Sequence, residues 1–154
     1  MAMKQSLLEM VNIERHYETP AGVVRALDGV SFEITQGERV ILLGPSGSGK
    51  TTLLNCLSSL DSPTGGPYTF KGSEVPRNHS EQMTSFRREN IGYVFQFFNL
   101  LQDLTVLENI LLIQELSGNK DQKRAIELLK LVGLEDEINR FPGEISGGQQ
   151  QRVA

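Results

Sequence analysis

The sequence predicts an α/β protein with a three-layer core, to which a β-rich N-terminal module and a helical C-terminal segment are attached. The glycine-rich stretch GPSGSGKTT at 44–52 lies between an apolar run of strand length and a pattern typical of a helix. Alternating apolar residues precede this stretch, and helical patterns with N-cap signals follow from residue 103. The 154 residues, of which 38% are hydrophobic, fit one ordinary globular domain.

The N-terminal part is predicted to be rich in β-strands. Apolar alternation indicates strands within 7–14 and 30–42, and RVILL at 39–43 is a continuous apolar run typical of a buried strand. The stretch between them, residues 17–29, contains Pro20, Gly22 and the pair Asp28-Gly29, which predict loop and turn.

The middle of the chain is predicted to alternate helices with strands. A helix is expected from Lys50 to Leu60, closed by the prolines and glycines of DSPTGGP. YTFKG is expected to form a strand and a turn, a short helix follows at about Gln82 to Arg88, and IGYVFQ at 91–96 predicts another strand. We expect Cys56 to be a buried helical thiol and His79 to be a surface residue.

The C-terminal part is predicted to be helical. Thr105 and Glu108 have the spacing of a capping box, so a helix is expected to begin at Thr105. Asn119 is predicted to cap the next helix and Gly133 to close it. Within a single domain, 1–154, we therefore divide the chain into a β-rich subdomain with the core at about 1–102 and a helical subdomain at about 103–154.

Charge and composition restrict the possible partners and compartments. The net charge of −4 is spread without a long run of one sign, so no nucleic-acid partner is expected. The longest apolar runs are far shorter than the roughly 20 residues of a membrane-spanning helix, and the N-terminus lacks the apolar region of a secretory signal. The single cysteine cannot form an internal disulfide, so we expect a cytoplasmic protein.

The stretch from Gly44 to Thr51 matches G-x-x-x-x-G-K-[ST], the pattern of a phosphate-binding loop between a strand and a helix. Its glycines let the backbone curl so that successive N–H groups face phosphate oxygens, and the helix N-terminus adds positive potential. Lys50 is expected to contact the β- and γ-phosphates, and the Thr51 hydroxyl to ligate Mg²⁺. The alternative is a chance glycine turn before a helix. The predicted nucleotide contacts are Gly44, Pro45, Ser46, Gly47, Ser48, Gly49, Lys50, Thr51 and Thr52.

A second glycine-rich site follows a hundred residues later. Ser146, Gly147, Gly148 and Gln149 form a Ser-x-x-Gln capping box at a helix start, and the two glycines clear space for another molecule to approach the free N–H groups. This arrangement predicts an anion site, with a helix cap that binds no ligand as the alternative.

GPSGSGKTT, VFQFFNLLQDLTVLENI and ISGGQQQRVA, in this order, closely resemble the ATP-binding subunits of ABC transporters, most of all the bacterial lipoprotein-releasing and macrolide-export type. The resemblance implies a P-loop NTPase core with a mainly parallel sheet, an N-terminal antiparallel β subdomain and a helical subdomain. It implies ATP hydrolysis that powers export or extraction through a separate integral membrane permease. It also implies a cytoplasmic subunit, peripheral on the inner face of the cell membrane, that pairs head to tail with a second ATP-binding subunit.

The resemblance also assigns roles to single residues. Tyr17 corresponds to an aromatic residue that stacks on adenine, with an aromatic packed at a strand end as the alternative. Gln96 corresponds to a glutamine that meets Mg²⁺ and the attacking water and senses the permease, and a glutamine that merely ends a strand is the alternative. The segment Ser146–Gln149 corresponds to the signature that faces the γ-phosphate bound by the opposite subunit. Lys50 and Gln96 are therefore the catalytic candidates, and Thr51 and Gln96 the metal ligands.

The family also carries, after its signature, an apolar strand ending in Asp-Glu and then a histidine, which these 154 residues do not contain. We expect a piece of a longer ATPase subunit that has an incomplete sheet, binds ATP weakly and hydrolyses little by itself. Two other functions stay open: a non-hydrolysing partner or regulator of an intact subunit, and a DNA-repair or chromosome ATPase. The second is disfavoured because no coiled-coil heptads separate the two motifs.

Overall fold

A computed structural model describes residues 6–77 and 80–154. The chain divides into two compact units, Met1–Ile91 and Gly92–Ala154. The boundary between these compact units lies between Ile91 and Gly92. It is a different division from the predicted subdomain boundary at residues 102 and 103, which stays a prediction. The expectation for His79 lies outside the described residues.

A long antiparallel hairpin begins the first unit. Strand β1, Ser6–Thr19, pairs with β2, Gly22–Thr35, across a two-residue turn at 20–21. The predicted loop at 17–29 is therefore wrong, since nearly all of it is strand. Its Gly29 has φ 81° at a register shift between the pairs Ile13–Val30 and Glu14–Asp28, so the glycine serves a β-bulge instead of a turn.

Two short strands and two helices complete the first unit. Strands β3, Tyr68–Phe70, and β4, Ser73–Glu74, extend the sheet in the order β2-β1-β3-β4, and the strand and turn predicted for YTFKG are confirmed. Helix α1, Lys50–Leu57, ends three residues earlier than predicted, and α2, Ser80–Asn90, is longer than predicted. The buried core of this unit consists of Leu8, Met10, Ile13, Leu27, Leu53, Cys56, Tyr68 and Val75.

The strands predicted at 39–43 and 91–96 are absent from the described structure, where both segments are irregular. A strand needs a neighbour for its backbone N–H and C=O groups, and no described segment pairs with either one. The apolar side chains of the first segment are consequently exposed, with 81% for Ile41 and 85% for Leu43. Every strand pair in the described residues is antiparallel, so the parallel part of the expected sheet is not formed.

The second unit is helical. Its helices are α3, Val106–Leu116, α4, Gln122–Leu131, and α5, Gly147–Val153. Two 3-10 turns, Glu135–Glu137 and Pro142–Glu144, lie between α4 and α5. The core consists of Val106, Leu107, Ala125, Leu129, Leu134 and Ile145.

The start of α3 is as the sequence predicts. The Thr105 hydroxyl accepts a hydrogen bond from the Glu108 N–H at 3.3 Å, and the Glu108 carboxylate accepts one from the Thr105 N–H at 2.8 Å. The Thr105 hydroxyl also donates to this carboxylate at 2.7 Å. The hydrogen bonds from the Thr105 N–H and hydroxyl lower the pKa of Glu108, because both favour the charged carboxylate.

The bounds of α4 confirm one expectation and correct another. Asn119 does not cap this helix: the Asp121 carboxylate does, accepting from the Arg124 N–H at 2.9 Å. The Asn119 N–H instead donates to the Gln114 carbonyl at 3.0 Å and closes the end of α3. At the other end Gly133, with φ 69°, closes the helix as predicted by adopting the left-handed conformation.

Candidate functional site

The phosphate-loop segment leads directly into α1. Gly47 and Gly49 have φ values of 79° and 86°, in the left-handed region that favours glycine. A Cβ atom on Gly49 would lie only 2.6 Å from the Ala26 carbonyl oxygen of β2, whereas one on Gly47 would meet nothing within 4 Å. Gly49 is thus required both by its conformation and by the close approach of β2, a contact that the sequence pattern does not reveal.

The Lys50 ammonium lies against the loop. It donates hydrogen bonds to the carbonyl oxygens of Gly44 at 2.7 Å and Pro45 at 2.6 Å, and it lies 3.4 Å from the Ser48 hydroxyl oxygen. Two carbonyl groups of the loop therefore face the Lys50 ammonium. A phosphate group entering here meets a positive charge that is already directed at the loop.

The start of α1 offers further donors. Gly49 occupies the N-cap position, where no side chain competes for the N–H groups of the first turn. Thr51 is exposed and Thr52 is half-buried in that turn, and Ser46 is exposed in the loop before it. Backbone N–H groups, a lysine and hydroxyls in one loop suit a polyphosphate anion.

Tyr17 lies on β1 and is held by two charged residues. Its hydroxyl donates to the Asp61 carboxylate at 2.7 Å. The Arg15 guanidinium pairs with both oxygens of the same carboxylate, at 2.9 and 2.8 Å, and lies 4.4 Å from the centroid of the Tyr17 ring. Arg15 and Asp61 were not predicted as site residues, because they are 46 residues apart and no local sequence pattern signals their contact.

Gln96 is exposed in a turn of the second unit. Beside it Phe98 and Asn99 have φ values of 60° and 55°, which are uncommon for residues other than glycine, and Phe97 is 81% exposed. The glutamine thus lies on a turn next to apolar surface and not at the end of a paired strand.

The Ser146–Gln149 segment forms the predicted capping box. The Ser146 hydroxyl accepts from the Gln149 N–H at 3.2 Å, and the Gln149 side-chain oxygen accepts from the Ser146 N–H at 2.8 Å. Gly147 and Gly148 are exposed, and a Cβ on either would meet nothing within 4 Å. The segment is anchored by Ile145, a buried member of the core of this unit.

The predicted site residues are divided between the two units. Tyr17 and the phosphate loop belong to the first unit. There the loop leads into α1, and the Tyr17 hydroxyl contacts Asp61, which follows α1. Gln96 and Ser146–Gln149 belong to the second unit.

Cys56 is fully buried as expected, and burial raises the pKa of its thiol to about 11, so it is no nucleophile at neutral pH.

Neither a clustered metal site nor a membrane span is found in the part of the chain that the structure describes. Residues 6–77 and 80–154 contain no group of three or more His, Cys, Asp or Glu side chains placed to hold a metal ion. No helix in these ranges is long and apolar enough to cross a membrane.

Comparison with known proteins gives a consistent family. The ABC transporter family model matches residues 27–154. An uncharacterized ABC transporter ATP-binding protein of Thermotoga maritima is 46% identical over 153 residues, which are 97% of this chain and 65% of that protein. The lipoprotein-releasing system ATP-binding protein LolD of Hyphomonas neptunium is 41% identical over 99% of this chain and 68% of its own length. The chain thus spans about two-thirds of these relatives.

Solved structures agree with the sequence matches. The dimeric structure of MJ0796, described as a bacterial ABC transporter cassette, matches with a TM-score of 0.85 and 38% identity over 95% of this chain and 66% of that one. The same cassette is also known in a post-hydrolysis state bound to ADP and Pi. The fold class expected from the sequence is therefore confirmed, with a sheet that is partial in this chain.

Proposed function

The chain belongs to the ABC transporter ATP-binding family, and on this premise we propose that it binds ATP through the Gly44–Thr52 loop. In the complete subunit this binding leads to hydrolysis that powers transport through a separate membrane permease. The observation that carries the proposal is the position of Lys50, whose ammonium lies 2.7 and 2.6 Å from two carbonyl oxygens of the loop. A triphosphate would replace those neutral acceptors with anionic oxygens, which attract the ammonium more strongly than carbonyl oxygens do.

The loop residues suit the rest of the triphosphate. The first-turn N–H groups of α1 are free of any cap side chain, so they are available to phosphate oxygens together with the helix dipole. ADP and Pi are the ligands of the related MJ0796 cassette, which supports a nucleoside polyphosphate as the ligand here.

Mg²⁺ fits the residues present as a partner of the nucleotide. The exposed Thr51 hydroxyl is a single hard oxygen donor at the start of α1, and Mg²⁺ is commonly held by one or two protein ligands, phosphate oxygens and waters. When bound, the ion neutralises charge on the β- and γ-phosphates. We assign Gln96 to the metal and the attacking water, and Lys50 to the phosphate charge that develops during transfer.

The Ser146–Gln149 segment is proposed to contact ATP on a second ATP-binding subunit. Its two glycines leave the helix start open, and the capping box fixes the backbone there. The related MJ0796 cassette was solved as a dimer, which supports a head-to-tail pair in which each subunit closes the site of the other.

The names of two relatives support a role beside a membrane permease. LolD is an ATP-binding protein of a lipoprotein-releasing system, and MacB of Photorhabdus laumondii is named as a macrolide export ATP-binding and permease protein. We propose a cytoplasmic subunit, peripheral on the inner face of the membrane, that acts in export or extraction.

The test is a calorimetric titration of ATP with Mg²⁺ into the wild-type chain, Lys50→Ala and Lys123→Ala. Lys123 is an exposed lysine of α4 and a matched control for the loss of one charge. Removal of a charged hydrogen-bond partner worth about 1.5–3 kcal/mol predicts affinity weaker by roughly 10- to 150-fold for Lys50→Ala. The control should bind as the wild type does. Equal affinity of all three proteins would refute the proposal.

A further inference from the structure

Arg15 and Asp61 both contact Tyr17 and each other. Asp61 follows α1, its backbone N–H donates to the Asn55 carbonyl at 3.1 Å, and one carboxylate oxygen accepts from the Ser62 N–H at 2.8 Å. The carboxylate is thus fixed by its own segment before it contacts β1. Both charged side chains are partly buried, with 22% exposed for Arg15 and 24% for Asp61.

Two contacts restrict the Tyr17 ring. The hydroxyl is tied to Asp61 at 2.7 Å, and the Arg15 guanidinium covers one face at 4.4 Å from the centroid. The guanidinium is itself oriented, because it pairs with both oxygens of Asp61. Paired bonds of this kind fix direction as well as distance. The ring is therefore held at its edge and on one face.

We propose that Asp61 and Arg15 are positioning residues that orient Tyr17 for stacking on the nucleotide base. Since Arg15 occupies one face of the ring, the base stacks on the other face. The inference rests on the proposed function, because it requires ATP in the neighbouring phosphate loop. Asp61 also connects the two parts of the proposed site, because it follows the helix that begins with Lys50 and contacts Tyr17 on β1.

The backbone supports this link. The Thr64 N–H donates to the Glu14 carbonyl at 2.8 Å, and the Glu14 N–H donates to the Gly65 carbonyl at 3.1 Å. The segment after α1 therefore runs beside β1 close to Tyr17. A change at Asp61 alters the orientation of the ring without removing this backbone contact.

The experiment compares ATP with inorganic tripolyphosphate, which has the phosphate chain but no base. Dissociation constants of both ligands with Mg²⁺ are measured for the wild type, Tyr17→Phe, Asp61→Ala and Glu127→Ala. Tyr17→Phe keeps the ring and removes only the tether to Asp61. Glu127 pairs with Arg124 on the surface of α4 and is the matched control for a lost carboxylate.

Loss of the hydrogen bond between Tyr17 and Asp61 is expected to weaken the affinity for ATP about fivefold in Tyr17→Phe, the effect of one hydrogen bond. We expect about tenfold in Asp61→Ala, because Arg15 is released as well. Tripolyphosphate should bind both variants and the control as tightly as it binds the wild type. A purely structural role predicts an equal loss for the two ligands, and this result or an unchanged ATP affinity would overturn the inference.

The inference and the proposed function fail differently. If wild type binds neither ligand, or if Lys50→Ala leaves both affinities unchanged, the phosphate loop is not a nucleotide site and the inference fails with it. If both ligands bind through Lys50 and the ratio of their affinities is the same in every variant, only the inference fails. Tyr17→Phe is a conservative change, so it gives this ratio even if Asp61→Ala does not fold.

Discussion

Gly49→Ala tests whether the close contact between the phosphate loop and β2 shapes this site. Gly49 has φ 86°, and a Cβ at that position would lie 2.6 Å from the Ala26 carbonyl oxygen. Gly47→Ala is the matched control, since Gly47 has φ 79° and open space around its Cβ position. The two substitutions add the same methyl group to the same loop, in nearly the same backbone conformation.

The expected magnitudes differ by the cost of the close contact. A non-glycine residue in the left-handed region costs about 1–2 kcal/mol, and this cost applies to both variants. For Gly49→Ala the start of α1 must also move away from β2 by several tenths of an ångström, because ordinary contacts begin at 3.4 Å. Overpacking of this kind adds about 1–3 kcal/mol. We therefore expect Gly49→Ala to lower the free energy of unfolding by about 2–5 kcal/mol and Gly47→Ala by about 1–2 kcal/mol.

The assay is urea unfolding followed by near-UV circular dichroism, to which Tyr68 in the core of the same unit contributes. Midpoints and slopes are compared between the two variants and the wild type. Equal losses of unfolding free energy in the two alanine variants would refute the reasoning, since they would mean that β2 does not restrict Gly49.

Three further predictions concern other contacts. Glu108→Ala should destabilise α3 at neutral pH. Hydrogen bonds lower the pKa of Glu108 in the folded state, so its carboxylate stabilises the fold at pH values above the unfolded-state pKa. This stabilisation is lost as the pH falls through the folded-state pKa. Unfolding measured at pH 7 and pH 3 checks this, and an equal deficit at both values would contradict it. Asn109→Ala should cost about 2 kcal/mol or more, because the buried Asn109 amide accepts from the Leu101 N–H and donates to the Leu104 carbonyl, and its loss removes both hydrogen bonds. Thermal unfolding tests this, and a change below about 0.5 kcal/mol would refute it. Cys56 should react with a thiol reagent at pH 8 only as fast as the protein opens, because its pKa of about 11 leaves little thiolate and its side chain is fully buried; rapid labelling of the native protein would contradict this.

Local signals predicted the start of α3 and the end of α4 correctly and the pairing of strands poorly. The capping box of Thr105 and Glu108 uses two residues three positions apart, so the sequence contains the whole interaction. The pair Asp28-Gly29 suggests a turn, but a left-handed glycine serves a turn or a β-bulge equally well, and only the pairing partner on β1 decides between them. The same dependence on a partner explains why the apolar run 39–43 forms no strand in the described structure.

The candidate site shows the same division. The phosphate-loop pattern predicted Gly44 to Thr51 as a nucleotide site, and the contacts of Lys50 with the Gly44 and Pro45 carbonyl oxygens lie within six positions of the chain. The closeness of Gly49 to the Ala26 carbonyl depends on how β2 folds back, and the contact of Arg15 with Asp61 joins residues 46 positions apart. Interactions of this range depend on the tertiary fold, and no local pattern carries them.

The loop Gly44–Thr52, with the Lys50 ammonium against it, is proposed to hold the phosphate chain of a nucleotide. The most direct test is the ratio of the affinities for ATP and AMP, with Mg²⁺ present, in the wild type and in Lys50→Ala. We predict that wild type binds ATP more tightly than AMP by roughly tenfold or more, the effect of at least one charged contact. We also predict that the ratio falls toward one in the variant. A wild-type chain that binds ATP and AMP equally, or a ratio that Lys50→Ala does not change, would contradict the claim.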